Sequence, residues 1–186
     1  MFQLGHNFCD RDKCKEFFLE HYKEFAALYN QRPDKVNLFG VRLNHAFAIH
    51  MVTTRLQPRT IIESGVNAGQ STYFFRKAAP TAKIISLDPA TESLPGQNKR
   101  WIDGTNNDYH TGDKFQDITK VDWAQYPGVD MDTTLVFIDD HQQTYGRMQH
   151  LHKLGFTHFM VEDNYPMGYG AAAVERGHSP KTILWG

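Results

Sequence analysis

The sequence predicts an α/β protein with a Rossmann-like, doubly wound and mainly parallel sheet flanked by helices. Three observations carry that expectation. Short β-branched runs alternate with helix-forming stretches from about residue 59 onward. Those runs are apolar at successive positions, which suits strands buried on both faces rather than one. Four of them run into an acidic residue, giving Glu63, Asp88, Asp139-Asp140 and Glu162-Asp163. In open α/β sheets, ligands bind outside the carboxyl ends of the strands where the strand order reverses.

The elements follow in order. Phe18, Tyr22, Phe25 and Tyr29 recur at helical spacing and predict an N-terminal helix with one apolar stripe, closed by Pro33. A second helix is expected over 41–56, with Phe47, Ala48, Met51, Val52 and Leu56 on one face and Pro58 as the stop. Thr60-Ile61-Ile62-Glu63 reads as the first strand, and 70–79 as the helix after it. Residues 82–88 form the second strand. The polar stretch 89–108 reads as loop with room for a short helix, and a weak third strand is expected near Tyr109-His110-Thr111. Thr133 to Asp139 is a strong strand, 142–154 a helix, and 157–162 the last strand.

One domain is expected, 1–186, with N-terminal helices over 1–58 and a cofactor- and metal-binding core over 59–165. Twenty Lys and Arg against 21 Asp and Glu leave a formal charge of -1, without the concentrated positive charge that nucleic acid or an anionic membrane requires. No apolar run approaches the ~18 residues of a membrane span. The first residues lack the basic and apolar regions of a signal peptide. Cys9 and Cys14 make at most one zinc half-site, no second Cys pair follows, and they read as ordinary thiols. The expectation is a soluble, cytoplasmic protein acting on a small molecule or glycan, with its oligomeric state open, a homo-oligomer included.

The turn after the first strand is Glu63-Ser64-Gly65-Val66-Asn67-Ala68-Gly69-Gln70-Ser71. Its glycines stand at G-x-x-x-G, so the dinucleotide fingerprint G-x-G-x-x-G fails. An acid before the first glycine repels a pyrophosphate and attracts a cationic ligand such as a sulfonium. Asp88 ends the next strand, 23 residues after Gly65, where a carboxylate accepts both hydroxyls of a ribose. Acids can also cap the helices that follow them.

These residues resemble class I S-adenosylmethionine-dependent methyltransferases. Residues 61–69 are similar to the first motif of that family and 84–88 to its second, and the resemblance extends over about 59–165. Val136-Phe137-Ile138-Asp139 with Tyr145, together with Asp163-Asn164, resembles the metal-dependent O-methyltransferases of the catechol and caffeoyl-CoA type. Phe137-Ile138-Asp139-Asp140-His141 followed by Val161-Glu162-Asp163 is similar to the group of macrocin O-methyltransferase and cephalosporin-hydroxylase-type proteins.

The resemblance implies S-adenosylmethionine bound by Glu63, Ser64, Gly65, Asn67, Gly69, Gln70, Ser71 and Asp88. It implies a divalent cation, Mg²⁺ by preference, on Asp139, Asp163 and Asn164, with Glu162 as a replacement ligand. Neighbouring strand-end carboxylates repel unless a proton or a cation lies between them, and Mg²⁺ takes such hard oxygen ligands. The implied reaction is O-methylation of a hydroxyl on a sugar or small polyhydroxylated molecule.

Two departures stand out. The catechol-type Lys base has no counterpart, because Gln142 occupies its position; His141 is the nearest substitute as general base, beside a competing role at the helix start. Only 22 residues follow Asn164, where the family adds roughly 50, so a shortened C-terminal end is expected. A non-catalytic methyltransferase-like binding module is the alternative. A nucleotide-binding oxidoreductase is disfavoured by the glycine spacing. Asn37, Arg42 and His45 on the N-terminal side, and Asp113 and Asp117 beyond the third strand, either face the cofactor or are polar surface. Trp101, Trp123 and Trp185 read as packing residues.

Overall fold

The computed structural model describes residues 11–37, 40–96 and 98–162. Asp163, Asn164, Cys9 and Trp185 therefore lie outside the described residues. Helix α1 spans Arg11–Gln31 and α2 Leu43–Leu56, followed by β1 Thr60–Ser64, α3 Gln70–Ala78, β2 Lys83–Asp88 and β3 Asn107–Thr111. The chain continues through a single 3₁₀ turn at Gly112–Lys114 into β4 Thr134–Ile138, α4 Thr144–Lys153 and β5 His158–Val161.

The five strands form one sheet in the order β3-β2-β1-β4-β5. Every pairing is parallel. The expected architecture is thus observed, and the order reverses between β1 and β4, so the switch point lies at the ends of those two strands.

Strand periodicity distributes the core. Ile61, Ile84, Leu135 and Phe137 face one side and join Phe25, Ile49, Phe74 and Phe75 from α1, α2 and α3. Their neighbours Ile62, Ile85, Leu87, Val136 and Ile138 face the other side and join Trp123, Leu151 and Phe156. Each strand is apolar at consecutive positions because both faces are covered. Trp123 is fully buried, and Trp101 packs edge-on against Tyr73 with ring centroids 5.5 Å apart. Both are packing residues, as expected.

Three local features differ from expectation. The apolar stripe of α1 is buried only at its C-terminal half: Phe25 is 2% exposed, but Phe18 is 38% and Tyr22 51% exposed. Phe18 meets Phe47 of α2 edge-on at 4.7 Å, a contact that covers one edge of its ring. The third strand starts two residues earlier than its β-branched signal, because pairing with β2 recruits Asn107 and Asp108. No helix forms among the described residues of 89–106; side chains hold this loop instead, as described below. Among the described residues no helix is long and apolar enough to cross a membrane.

Candidate active site

A cleft of about 250 Å³ opens at the switch point. Its walls come from the turn after β1 (Gly65 to Ala68, Gln70, Ser71), the residues after β2 (Asp88 to Ala90, Glu92, Leu94), the residues after β4 (Asp139, Asp140, His141), and Gly40-Val41 before α2. Asp88, Glu92, Asp139 and Asp140 are acidic, and neither Lys nor Arg lines the cleft among the described residues.

The two motif glycines are required by close backbone approach. Gly65 has φ +93°, and a Cβ there would lie 2.2 Å from the Asp139 carbonyl oxygen. Gly69 has φ +76° and is the N-cap of α3, and a Cβ there would lie 2.3 Å from the Trp101 carbonyl oxygen. Both are left-handed conformations that glycine alone adopts without cost. Gly65 lets β1 and β4 turn away side by side; Gly69 lets the loop after β2 close over the start of α3.

Glu63 is displaced from its expected role. It is 0% exposed and is not a wall of the cleft. Its Oε1 accepts the Ser71 hydroxyl at 2.5 Å, and its Oε2 accepts Thr72 at 2.7 Å and Ser86 at 3.0 Å. Burial raises its pKa from 4.5 to about 7, against the opposing effect of these three hydroxyl bonds. Glu63 therefore ties the first turn of α3 to β1 and β2 from beneath the site. Ser64 is likewise turned inward, donating to Asp140 Oδ2 at 2.5 Å.

Asp88 lines the cleft but is already engaged. Its Oδ2 accepts Val66 N–H at 2.9 Å, Asn67 N–H at 2.8 Å and the Arg100 guanidinium at 3.1 Å, and its Oδ1 accepts Ala90 N–H at 2.8 Å. Three donors thus share Oδ2 and one reaches Oδ1, which leaves Oδ1 the less committed acceptor toward the cleft. Arg100 also donates to the carbonyls of Asn67, Ala90 and Glu92. It thereby locks the turn after β1 to the turn after β2. Asn67, in the left-handed region at φ +46°, accepts Leu94 N–H at 3.1 Å through Oδ1.

Two lining side chains are uncommitted. Glu92 is exposed, and among the described residues its carboxylate has no hydrogen-bond or ion-pair partner. Gln70 is 2% exposed, and neither atom of its carboxamide finds a partner among the described residues.

The β4 end is built differently. Asp139 is half-buried and continues the ladder, donating its N–H to the Ser64 carbonyl at 2.8 Å. Asp140 is held by Ser64, by Gln142 N–H at 3.1 Å and by Arg147 at 2.8 Å. Arg147 also pairs with Asp117. His141 is exposed at the rim with φ +55°. On the neighbouring strand, Glu162 pairs with His45 of α2. Ile138 is in register with Val161, so Asp139 and Glu162 leave adjacent strands at the same level. No group of three His, Cys, Asp or Glu side chains able to hold a metal occurs among the described residues.

The remaining polar candidates are structural or lie outside the cleft. Asn37 donates to the Val41 carbonyl at 3.0 Å, Arg42 is exposed at the start of α2, and neither Asp113 nor Asp117 is a cleft wall. Sequence reasoning did not single out Arg100 and Arg147, which hold Asp88 and Asp140, or Glu92, which lines the cleft. They come from loop and helix stretches without local periodicity, and only the odd placement of arginines beside acid-rich turns signals them.

No family model and no curated protein matches this chain. Solved structures do. One described as CmcI-N160 with SAH is 19% identical over 72% of this chain and 67% of its own length, with a TM-score of 0.51. Cofactor-bound Rv0187 from MTB is 14% identical over 86% of this chain and 73% of its own, also at 0.51. The O-methyltransferase TomG from Streptomyces achromogenes, in complex with SAM, is 16% identical over 76% of this chain and 63% of its own, at 0.50. At these identities the likeness is one of fold, and this chain shares the Rossmann-like α/β frame on which an S-adenosylmethionine-bound O-methyltransferase is built.

Proposed function

We propose that the protein is an S-adenosylmethionine-dependent O-methyltransferase. The observation that carries this reading is the switch-point cleft walled by the Gly65–Ser71 turn and by four acids, with no Lys or Arg among its described walls. Arg100 and Arg147 offset Asp88 and Asp140 from behind the wall; the acidic surface that remains, Glu92 included, favours a sulfonium over the pyrophosphate of a dinucleotide. In this arrangement the Gly65–Gly69 turn brings backbone against the ligand, and Leu94, Pro89 and Ala90 flank the nucleoside. Glu92, together with Oδ1 of Asp88, accepts the ribose hydroxyls.

The acceptor proposed is a neutral hydroxyl compound, a sugar or another small polyol, because the walls carry four carboxylates and neither Lys nor Arg among the described residues to receive an anion. Asp139 faces the cleft and supplies a hard oxygen donor at the level where β4 and β5 end. With Asp163 and Asn164 it would hold a divalent cation, Mg²⁺ by preference; Glu162 is already paired with His45. A bound cation supplies Lewis-acid lowering of an acceptor hydroxyl's pKa. His141 at the rim is the proposed general base.

Calorimetry with S-adenosylhomocysteine and NAD tests the cofactor, and tighter binding of NAD refutes it. A labelled-methyl turnover assay on a polyol panel, with and without chelator, tests the reaction. Turnover undiminished in excess chelator refutes the metal, and absence of turnover despite S-adenosylhomocysteine binding leaves a binding module as the reading.

A further inference from the structure

His50 is a buried titratable group that the cleft does not use. It lies on α2, 2% exposed, beside Phe25 of α1 with ring centroids 5.6 Å apart. Neither Nδ1 nor Nε2 has a hydrogen-bond partner among the described residues. The hydroxyls of Thr53 and Thr54, three and four residues on, are also without partners there. These positions share one stripe of the helix. Buried polar groups are normally hydrogen-bonded, so α2 carries polar groups that the docking of its neighbours does not satisfy.

The helix that covers His50 is seated mainly near its C-terminal end. Phe25 of α1 is buried against Phe47 at 4.9 Å and Phe74 at 5.8 Å, and the Tyr73 hydroxyl donates to the Leu28 carbonyl at 3.3 Å. In the preceding turns Phe18, Leu19 and Tyr22 are exposed. The turn after α1 is anchored independently. Asp34, 1% exposed, accepts the N–H groups of Val36 and Asn37 and, at 2.8 Å, the amide of Asn98 in the loop after β2. Gly40 and Val41 of the cleft wall lie beyond that anchor. A movement of α1 that pivots before Asp34 therefore leaves the cleft wall in place.

The charged groups that act on His50 are Glu24 and His21, both on α1. On α3, Lys77 lies over the Tyr73 ring at 5.5 Å and Arg76 is engaged with Asp103; on α2 itself, His45 pairs with Glu162. Burial holds the imidazole below its ordinary 6.5; Glu24 opposes that shift and His21 adds to it. A docked state that refuses a proton taken up by the released state loses stability as pH falls through 6.5. We propose that His50 is a pH-sensitive latch for α1: the helix is seated while the ring is neutral and leaves α2 when the ring gains a proton, uncovering Phe47 and Phe74. The latch lies outside the cleft and does not depend on what the cleft binds.

The experiment is hydrogen exchange read by mass spectrometry from about pH 7.5 to about pH 5.5, corrected for intrinsic rates, on wild type, His50→Phe and His50→Gln. One imidazole of ordinary pKa 6.5 that charges only in the released state favours release by about tenfold at pH 5.5 and hardly at pH 7.5. The expected result in wild type is a loss of α1 protection of about fivefold to tenfold over that range. The amides of β1 and β4 are expected to stay at least about tenfold better protected than those of α1 throughout, so that release precedes global unfolding. In both variants α1 protection is expected to change by no more than about twofold, because neither side chain titrates. His50→Gln keeps an uncharged polar group at the site and carries the test if Phe packs badly. Wild-type α1 protection that does not change with pH, an equal loss in both variants, or α1 amides that exchange only together with the sheet would overturn the latch.

Discussion

Glu63 and Asp139 mark the ends of two strands that pair side by side, β1 and β4. In sequence they look alike, each an acid after an apolar β-branched run. Glu63 is sealed under α3 with three hydroxyls on its carboxylate and a pKa raised to about 7. Asp139 lies one residue beyond the strand, half-buried on the cleft wall, next to a turn that forces His141 to φ +55°. One acid builds the site and the other faces into it. The difference arises because Glu63 falls within the strand, where its side chain points to the α3 face, whereas Asp139 falls where pairing stops and the chain turns. A carboxylate is thus a candidate ligand where the strand has ended and the chain turns along the cleft, not where it is still held within the strand beneath a helix.

The sharpest test of that contrast is Asp139→Asn. It keeps size and removes charge on the open side, and is expected to lower methyl transfer by at least ~10³-fold, the scale of losing a charge that orients and activates the acceptor. S-Adenosylhomocysteine affinity, read by calorimetry, is expected within a few fold of wild type. A parallel loss of ligand affinity would place Asp139 with the cofactor instead.

Gly65→Ala probes the seam between the two ends. The new Cβ would meet the Asp139 carbonyl oxygen at 2.2 Å at a φ of +93°. Overpacking and left-handed strain together are expected to cost about 3 kcal/mol, seen as a lowered midpoint in urea with an unchanged slope. A neutral result would mean that β1 and β4 separate readily at their ends.

Glu63→Gln tests the sealed side. A carboxyl with pKa raised from 4.5 to about 7 keeps a proton in the folded state that the unfolded chain releases. Its contribution to stability is therefore full below about pH 4.5 and lost as pH rises toward 7, after which the penalty is constant. The neutral amide escapes that penalty but gives up part of the acceptor capacity for Ser71, Thr72 and Ser86. The variant is expected to gain on wild type by about 2 kcal/mol between pH 5 and pH 8. Parallel stability-versus-pH curves for the two proteins would show that Glu63 is ionised throughout.

The strands, and the side of the sheet on which the site lies, were legible because both-face burial writes continuous apolar runs such as Thr134 to Ile138. The weak β3 signal reflects an edge position, where Asn107 and Asp108 pair without being buried. The commitments of Asp88 and Asp140 were not legible. They depend on Arg100 and Arg147, which reach across from a loop and from α4, and no local spacing encodes a guanidinium that arrives through tertiary structure. The α1 stripe shows the same limit in reverse: its periodicity is genuine, yet Tyr22 remains 51% exposed because periodicity does not say what covers a face.

The smallest expected effect concerns His141, where backbone and imidazole can be separated. His141 occupies the left-handed region at φ +55°, which L residues enter at a cost of about 1 kcal/mol and glycine without it. The residue lines the cleft beside Asp139 and Asp140. His141→Gly keeps the turn and deletes the ring, while His141→Gln keeps the strain and deletes the ring. If the imidazole takes the acceptor's proton, both variants lose methyl transfer by at least about tenfold, the low end for a general base. Glycine alone gains up to about 1 kcal/mol in unfolding free energy, reduced by the added freedom of its unfolded chain. If His141 only shapes the turn, glycine restores full rate and Gln falls no further than its stability does. Rate and stability moving together in both variants would therefore assign His141 to the architecture of the β4 end, and rate falling while glycine gains stability would assign it to the chemistry.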